Sequence, residues 1–285
     1  MKLVRYGRNG HERPGMIDAQ GRLRSLAAQV QDIDASVFGP AGQRWLRRLD
    51  PSSLPLVPGR PRLGVPFVGI SKFIAIGLNY RDHAEEAGMP VPTSPIVFTK
   101  WTSCISGPYD AVLRPPGASK LDWEVELGVV IGRTARFVRE ADALKYVAGY
   151  CLVNDVSERA YQLEQGSQWN LGKGCDTFGP IGPWLVTRDD IDDPQNVDLW
   201  LDVNGERMQQ GNTRNMVFGV AFLVAYLSRF MTLLPGDVIA TGTPPGVGMG
   251  RKPPRYLQPG DEVTLGSPQL GVQRQRIRNA PQRPA

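Results

Sequence analysis

The sequence predicts an α+β fold dominated by strands: a mixed β-sandwich roll or barrel-like catalytic domain, preceded by a small N-terminal α+β domain. Three observations carry this. From residue 69 onward, short segments rich in β-branched and aromatic residues recur, each bounded by Gly, Pro, Asn or Asp. Glycine (32) and proline (25) exceed ordinary usage, which suits many turns and excludes an all-helical bundle. Stretches with a helical period are few.

The elements follow in chain order. LVRYG and GMIDAQGRLRSL read as a hairpin, because Asp-Ala-Gln-Gly is turn-forming between apolar runs. A short helix follows near 41–49. PSSLPLVPGRPRLGVP (51–66) has a proline every few residues and reads as an extended linker, so the division falls at 1–68 and 69–285. Strands are expected at FIAIGLNY, PIVFTKW, AVLRP, WEVELGVVIG, GYCLVNDVS, PWLVT, LWLDVNGE, DVIATG and EVTLG. Asn-Gly inside VDLWLDVNGERM is a hairpin signal. Helices are expected at 81–88, 140–148 and 217–231.

Apolar content of 41% and charged content of 21% allow a sizeable core. The apolar run MVFGVAFLVAYL is too short to span a bilayer and reads as a core helix. No secretory leader is legible, and three unclustered cysteines suit free thiols, so a reducing cytoplasm is expected. The net charge of +5 is scattered and comes with no nucleic-acid-binding motif, so it reads as solvated surface charge. Neither nucleic acid nor membrane is an expected partner.

The chemistry concentrates in LDWEVELGVVIG (121–132). Glu124 and Glu126 are two apart, hence on one face of a strand. Adjacent buried carboxylates share a proton, pair with a cation or bind a metal. GYCLVNDVS ends in Asp155. If the 140–148 helix crosses over, Asp155 can face the two glutamates. Three carboxylates without a nearby Cys or His ligand suit Mg²⁺ or Mn²⁺ rather than Zn²⁺. The alternative is that both glutamates lie on the solvated face of an antiparallel strand, with Trp123, Val125 and Leu127 behind them.

His83 and Glu86 are three apart on an expected helix, a spacing at which a carboxylate can orient an imidazole. An incidental exposed pair has the same spacing. Lys173, flanked by glycines, can meet an anion from a close-approach loop. TGTPPGVGMG (241–250) has no following helix and no Gly-Lys-Ser/Thr, so it is not a dinucleotide or phosphate loop. Its N–H groups and the Thr243 hydroxyl suit a carboxylate.

Taken in order, GLNYRDHAEEAG, WEVELGVVIG, VNDVSERAYQ, GKGCDTFGPIGPWLV and ATGTPPGVG resemble the fumarylacetoacetate hydrolase family over about residues 69–279. With the N-terminal module, the chain resembles its bacterial acylpyruvase and 2,4-diketo-3-deoxy-sugar-acid hydrolase branch. The resemblance implies that Glu124, Glu126 and Asp155 hold Mg²⁺ or Mn²⁺. It implies that His83 and Glu86 sit on a lid, with Gly77 and Gly88 as hinges, and activate water. Lys173 would contact the keto-acid end of the substrate, and Arg159, Gln162 and Thr243 would be substrate contacts. A homodimer is usual for such proteins.

The implied reaction is hydrolysis of the C3–C4 bond of a 2,4-diketo acid, giving pyruvate and a carboxylic acid. Oxaloacetate decarboxylation, 2-oxo-enoate hydration or isomerisation, and ureidoglycolate cleavage use the same kind of acidic centre and stand as alternatives. A non-catalytic metal- or nucleic-acid-binding role is the remote one.

Overall fold

The computed structural model describes residues 1–86, 88–166 and 168–281. Ten strands form the larger sheet, in the order Leu23–Ser25, Arg13–Ile17, Lys2–Tyr6, Gly179–Thr187, Val147–Asn154, Val125–Ile131, Val238–Ala240, Phe73–Gly77 and Ile96–Lys100, with Ile105–Ser106 also pairing to Gly179–Thr187. A five-stranded sheet runs Glu206–Asn212, Asp198–Val203, Glu262–Ser267, Gly271–Asn279 and Val112–Arg114, and it packs on the first. Leu121–Asp122 and Ser157–Glu158 make a short third pair. Among the described residues both large sheets are open-ended, so the architecture is the folded-over form and not a closed barrel. Among the same residues no helix is long and apolar enough to cross a membrane.

Several expected elements are present. Asn204 and Gly205 both have positive φ between Val203 and Glu206, which is the backbone that a tight hairpin demands. Helices form at Pro40–Arg48, Arg81–Glu86 and Val220–Phe230. The N-terminal hairpin is extended to a three-strand meander. Its first strand pairs with a distant one, Lys2 opposite Val186, so the N-terminal strands continue the large sheet.

One expectation needs correction, and the alternative reading of the glutamates falls. Residues 140–146 form 3₁₀ turns, and Val147 already begins the next strand. No crossover is made. Val147–Asn154 runs antiparallel to Val125–Ile131, with Val153 opposite Glu126 and Asn154 opposite Val125. The carboxylates also do not face solvent: every residue of Val125–Ile131 is buried, because the strand is central in its sheet and lies under the second sheet.

The fold also depends on a close approach of backbones. Gly149 pairs with Thr187 on one side and follows a register shift against Val125–Ile131 on the other, and a β-carbon placed there would lie 2.1 Å from the Val186 carbonyl oxygen. Backbone cannot swing aside as a side chain can. Gly149→Ala is therefore expected to lower stability by about 1–3 kcal/mol. The check is a lower urea midpoint with an unchanged slope.

Candidate active site

Antiparallel pairing at the ends of two buried strands brings the acidic residues together. Asp155 donates its backbone N–H to the Glu124 carbonyl at 2.9 Å, which fixes the two chains side by side. One oxygen each from Glu124, Glu126 and Asp155 lies within 4.8 Å of the other two, and all three residues are buried. Glu126 Oε2 accepts the Gly242 N–H at 2.8 Å, so the glycine-rich segment caps this cluster.

Cations enclose it. Lys173 Nζ donates to Glu124 Oε2 (2.7 Å) and Asp155 Oδ2 (2.9 Å). Lys100 Nζ donates to Asp155 Oδ1 at 2.5 Å and to the Lys173 carbonyl. Arg159 bridges Asp122 Oδ2 through Nε (2.9 Å) and Glu124 Oε1 through Nη2 (2.6 Å), while its Nη1 reaches Gln162 Oε1 (3.0 Å). Asp122 also accepts the N–H groups of Gly248 and Met249, tying the glycine-rich segment down a second time. Burial works against the Glu124 charge, but Lys173 and Arg159 outweigh it and hold that carboxyl below its ordinary value. Glu126 makes no ion pair of its own: burial, then Asp155 and Glu124, outweigh the pull of Lys173 and the Gly242 N–H and push it well above. Lys173 is buried too, yet Asp155 and Glu124 keep its ammonium charged.

The other half of the site comes from the helix Arg81–Glu86. The preceding loop is clamped by Asn79, whose side chain donates to the carbonyls of Thr241 (2.7 Å) and Phe218 (3.0 Å) and accepts the Phe218 N–H. His83 Nδ1 lies 3.1 Å from Glu86 Oε2; the imidazole is buried, with His83 7% exposed, while Glu86 stays open to solvent. Glu86 also accepts the Gly246 N–H at 2.9 Å, latching the helix to the glycine-rich segment.

His83, Glu124, Glu126, Arg159, Gln162, Lys173 and Thr243 line one pocket of about 150 Å³. Glu86 stands behind His83, and Asp155 stands behind Lys173. Two of the expected contacts are used differently from their sequence reading. The Thr243 hydroxyl donates to the Val125 carbonyl (2.9 Å) and accepts from Gln209 (2.8 Å), so it braces the wall. The N–H groups of the glycine-rich turn receive the protein's own carboxylates, Glu126 and Glu86. Gly77 is a packing position as well: a β-carbon there would strike the Trp169 ring at 2.5 Å.

Sequence reading missed Lys100 and Asp122. Asp122 continues the alternation of Glu124 and Glu126 two residues earlier, a signal that was available. Lys100 ends the strand Ile96–Lys100 and is 1% exposed, but nothing near it in the sequence marks a buried lysine.

A divalent cation fits these residues. Four buried carboxyl groups (Asp122, Glu124, Glu126, Asp155) face three buried cations (Lys100, Lys173, Arg159), which leaves Glu126 without a direct cation contact of its own. The donors are all carboxylate oxygens, which suits Mg²⁺ or Mn²⁺.

Fold and pocket thus define an enzyme-type site: an acidic floor, an oriented histidine and a buried lysine within one small cavity. The chain belongs to the fumarylacetoacetate hydrolase family: the model for the fumarylacetoacetate (FAA) hydrolase C-terminal region matches residues 72–278. A Burkholderia ambifaria protein provisionally named a hydrolase is 63% identical over 281 residues, covering 98% of this chain and all of its own. Among solved structures, a Mycobacterium abscessus protein provisionally titled 2-hydroxyhepta-2,4-diene-1,7-dioate isomerase is 34% identical, with a TM-score of 0.82, covering 99% of this chain and 100% of its own. Maleylpyruvate hydrolase from Sphingobium sp. SYK-6, solved with manganese(II) and pyruvate, is 29% identical with a TM-score of 0.82 over the same shares of the two chains.

Proposed function

We propose that this protein hydrolyses the C3–C4 bond of a 2,4-diketo acid, with Mg²⁺ or Mn²⁺ held by Glu124, Glu126 and Asp155. The observation that carries the reading is the meeting of that acidic floor with the His83–Glu86 pair in one pocket. The maleylpyruvate hydrolase neighbour, with its manganese and pyruvate, supports it. The ion, when bound, supplies Lewis-acid polarisation of a 2-oxo acid.

The chain's own residues do the rest. Glu86 occupies His83 Nδ1, which leaves Nε2 to take a proton from water. Glu86 also offsets the charge of the imidazolium that forms. The water oxygen adds to C4, the C3–C4 bond breaks, and its electron pair stays on the pyruvate half. A proton at C3 completes pyruvate, and the C4 half leaves as a carboxylic acid. Lys173, charged and beside Glu124, is placed to stabilise the negative charge that develops on the pyruvate half. Arg159 holds Glu124 and Gln162 in place.

The isomerase-titled neighbour favours a second reading, in which the same floor enolises a 2-oxo-enoate without hydrolysis. A chelator experiment tests both readings. Turnover of acylpyruvates should fall to background in EDTA and return with Mg²⁺ or Mn²⁺, with pyruvate as a product. Chelator-resistant turnover removes the metal from the reading. Metal-dependent isomerisation without pyruvate release selects the second reading.

A further inference from the structure

Resting on the proposed 2,4-diketo acid hydrolysis, we infer that the acyl half of the substrate is apolar and uncharged, and carries neither a second carboxylate nor several hydroxyls. The cations of the pocket are all committed. Arg159 spends Nε, Nη1 and Nη2 on Asp122, Gln162 and Glu124. Lys173 is bound by Glu124 and Asp155, and any charge on His83 is met by Glu86. All three stand at the acidic floor or the helix over it, where the keto acid would be held.

The remaining wall is apolar and includes Leu78, Met89, Phe98, Leu163, Trp169 and Met249. Phe98 and Trp169 meet edge to face at 5.4 Å, and Gly77 makes room for the indole. Of the polar lining residues, Thr243 is satisfied by Val125 and Gln209, and Gln162 keeps only its amide donor. A distal carboxylate entering this wall would give up part of its hydration to apolar side chains and gain no counter-charge. An alkyl or aryl group would lose nothing. The maleylpyruvate and heptadienedioate named for the neighbours are both dicarboxylates, so this chain departs from them in specificity.

The test uses the full-length protein with MnCl₂ and two 2-oxo acids that have no C4 carbonyl to hydrolyse: 2-oxoheptanoate and 2-oxoadipate. Calorimetric titration should show 2-oxoheptanoate binding at least about 10-fold more tightly. Leu163 is 48% exposed and tolerates a longer side chain. Leu163→Lys, which supplies the missing charge, should narrow or reverse the preference. Equal or tighter binding of 2-oxoadipate by the wild type overturns the inference and leaves the hydrolase reading standing. Binding of neither acid overturns the metal-gripped 2-oxo acid itself, and this inference with it.

Discussion

Glu126→Gln is expected to abolish turnover while leaving the metal-free fold at least as stable as the wild type. Glutamine keeps an oxygen for the Gly242 N–H at nearly the same volume. What it removes is a buried ionisable carboxyl whose charged form is disfavoured by burial and by Asp155 and Glu124, more than Lys173 offsets. Metal-free stability should therefore rise or hold, in contrast to most buried substitutions. Activity behaves oppositely. Losing a residue that merely supports a metal ligand costs about 10–100-fold, so loss of a ligand should exceed about 100-fold. The readout is thermal unfolding with and without MnCl₂, beside turnover. Mn²⁺ should raise the wild-type midpoint and leave the variant's unmoved.

pH separates the two glutamates. Glu126 is raised in the fold, so the stability tied to its neutral form is complete below its unfolded value, near 4.5, and is lost as pH climbs through the folded value. Glu124 is lowered, so its contribution is present above about 4.5 and fades at more acid pH. In EDTA the wild type should weaken as pH rises above about 4.5, and Glu126→Gln should lack that slope. A variant that still responds fully to Mn²⁺, or that unfolds well before the wild type in EDTA, removes Glu126 from the metal site.

Much of this site was legible because the informative signals are local. Glu124 and Glu126 declare their shared face by spacing alone, His83 and Glu86 by one helical turn, and Asn204-Gly205 by turn chemistry. What was hidden depends on partners far away in sequence. The strand Gly271–Asn279 reads as a polar arginine-rich tail because its inward residues include Gln273 and Gln275. Those amides are buried only because the carbonyls of Leu152, Gly182 and Pro108 receive them. No pattern of polar and apolar letters reveals such partners. Lys100 was hidden in the same way: its acceptors, Asp155 and the Lys173 carbonyl, come from two other segments. The short helices Arg159–Leu163 and Asn170–Lys173, of five and four residues, are set by their packing and not by a period. Thr243 shows a further limit. Its place beside the site was readable, but the direction of its hydroxyl was decided by a carbonyl that only folding brings near.

His83→Ala should lower hydrolysis by about 10²–10⁴-fold, the usual worth of a positioned general base. The fold should survive, because the helix Arg81–Glu86 is anchored independently through Asn79 and through Glu86 to Gly246. Metal binding should survive as well, since Glu124, Glu126 and Asp155 keep their partners without the imidazole. That combination isolates proton transfer from assembly of the site. Glu86→Gln should reproduce a milder form of the same defect. An amide can still accept the His83 Nδ1–H, but it cannot offset the imidazolium charge. The loss should therefore fall mainly on kcat and not on KM. Water activation is also what divides the competing chemistries. Decarboxylation of oxaloacetate needs an electron sink and no base to deprotonate water. A His83→Ala protein that retains a metal-dependent decarboxylase activity while losing acylpyruvate hydrolysis would place His83 on the water. Undiminished hydrolysis in the same variant would leave the helix over the pocket with a packing role and move the base elsewhere.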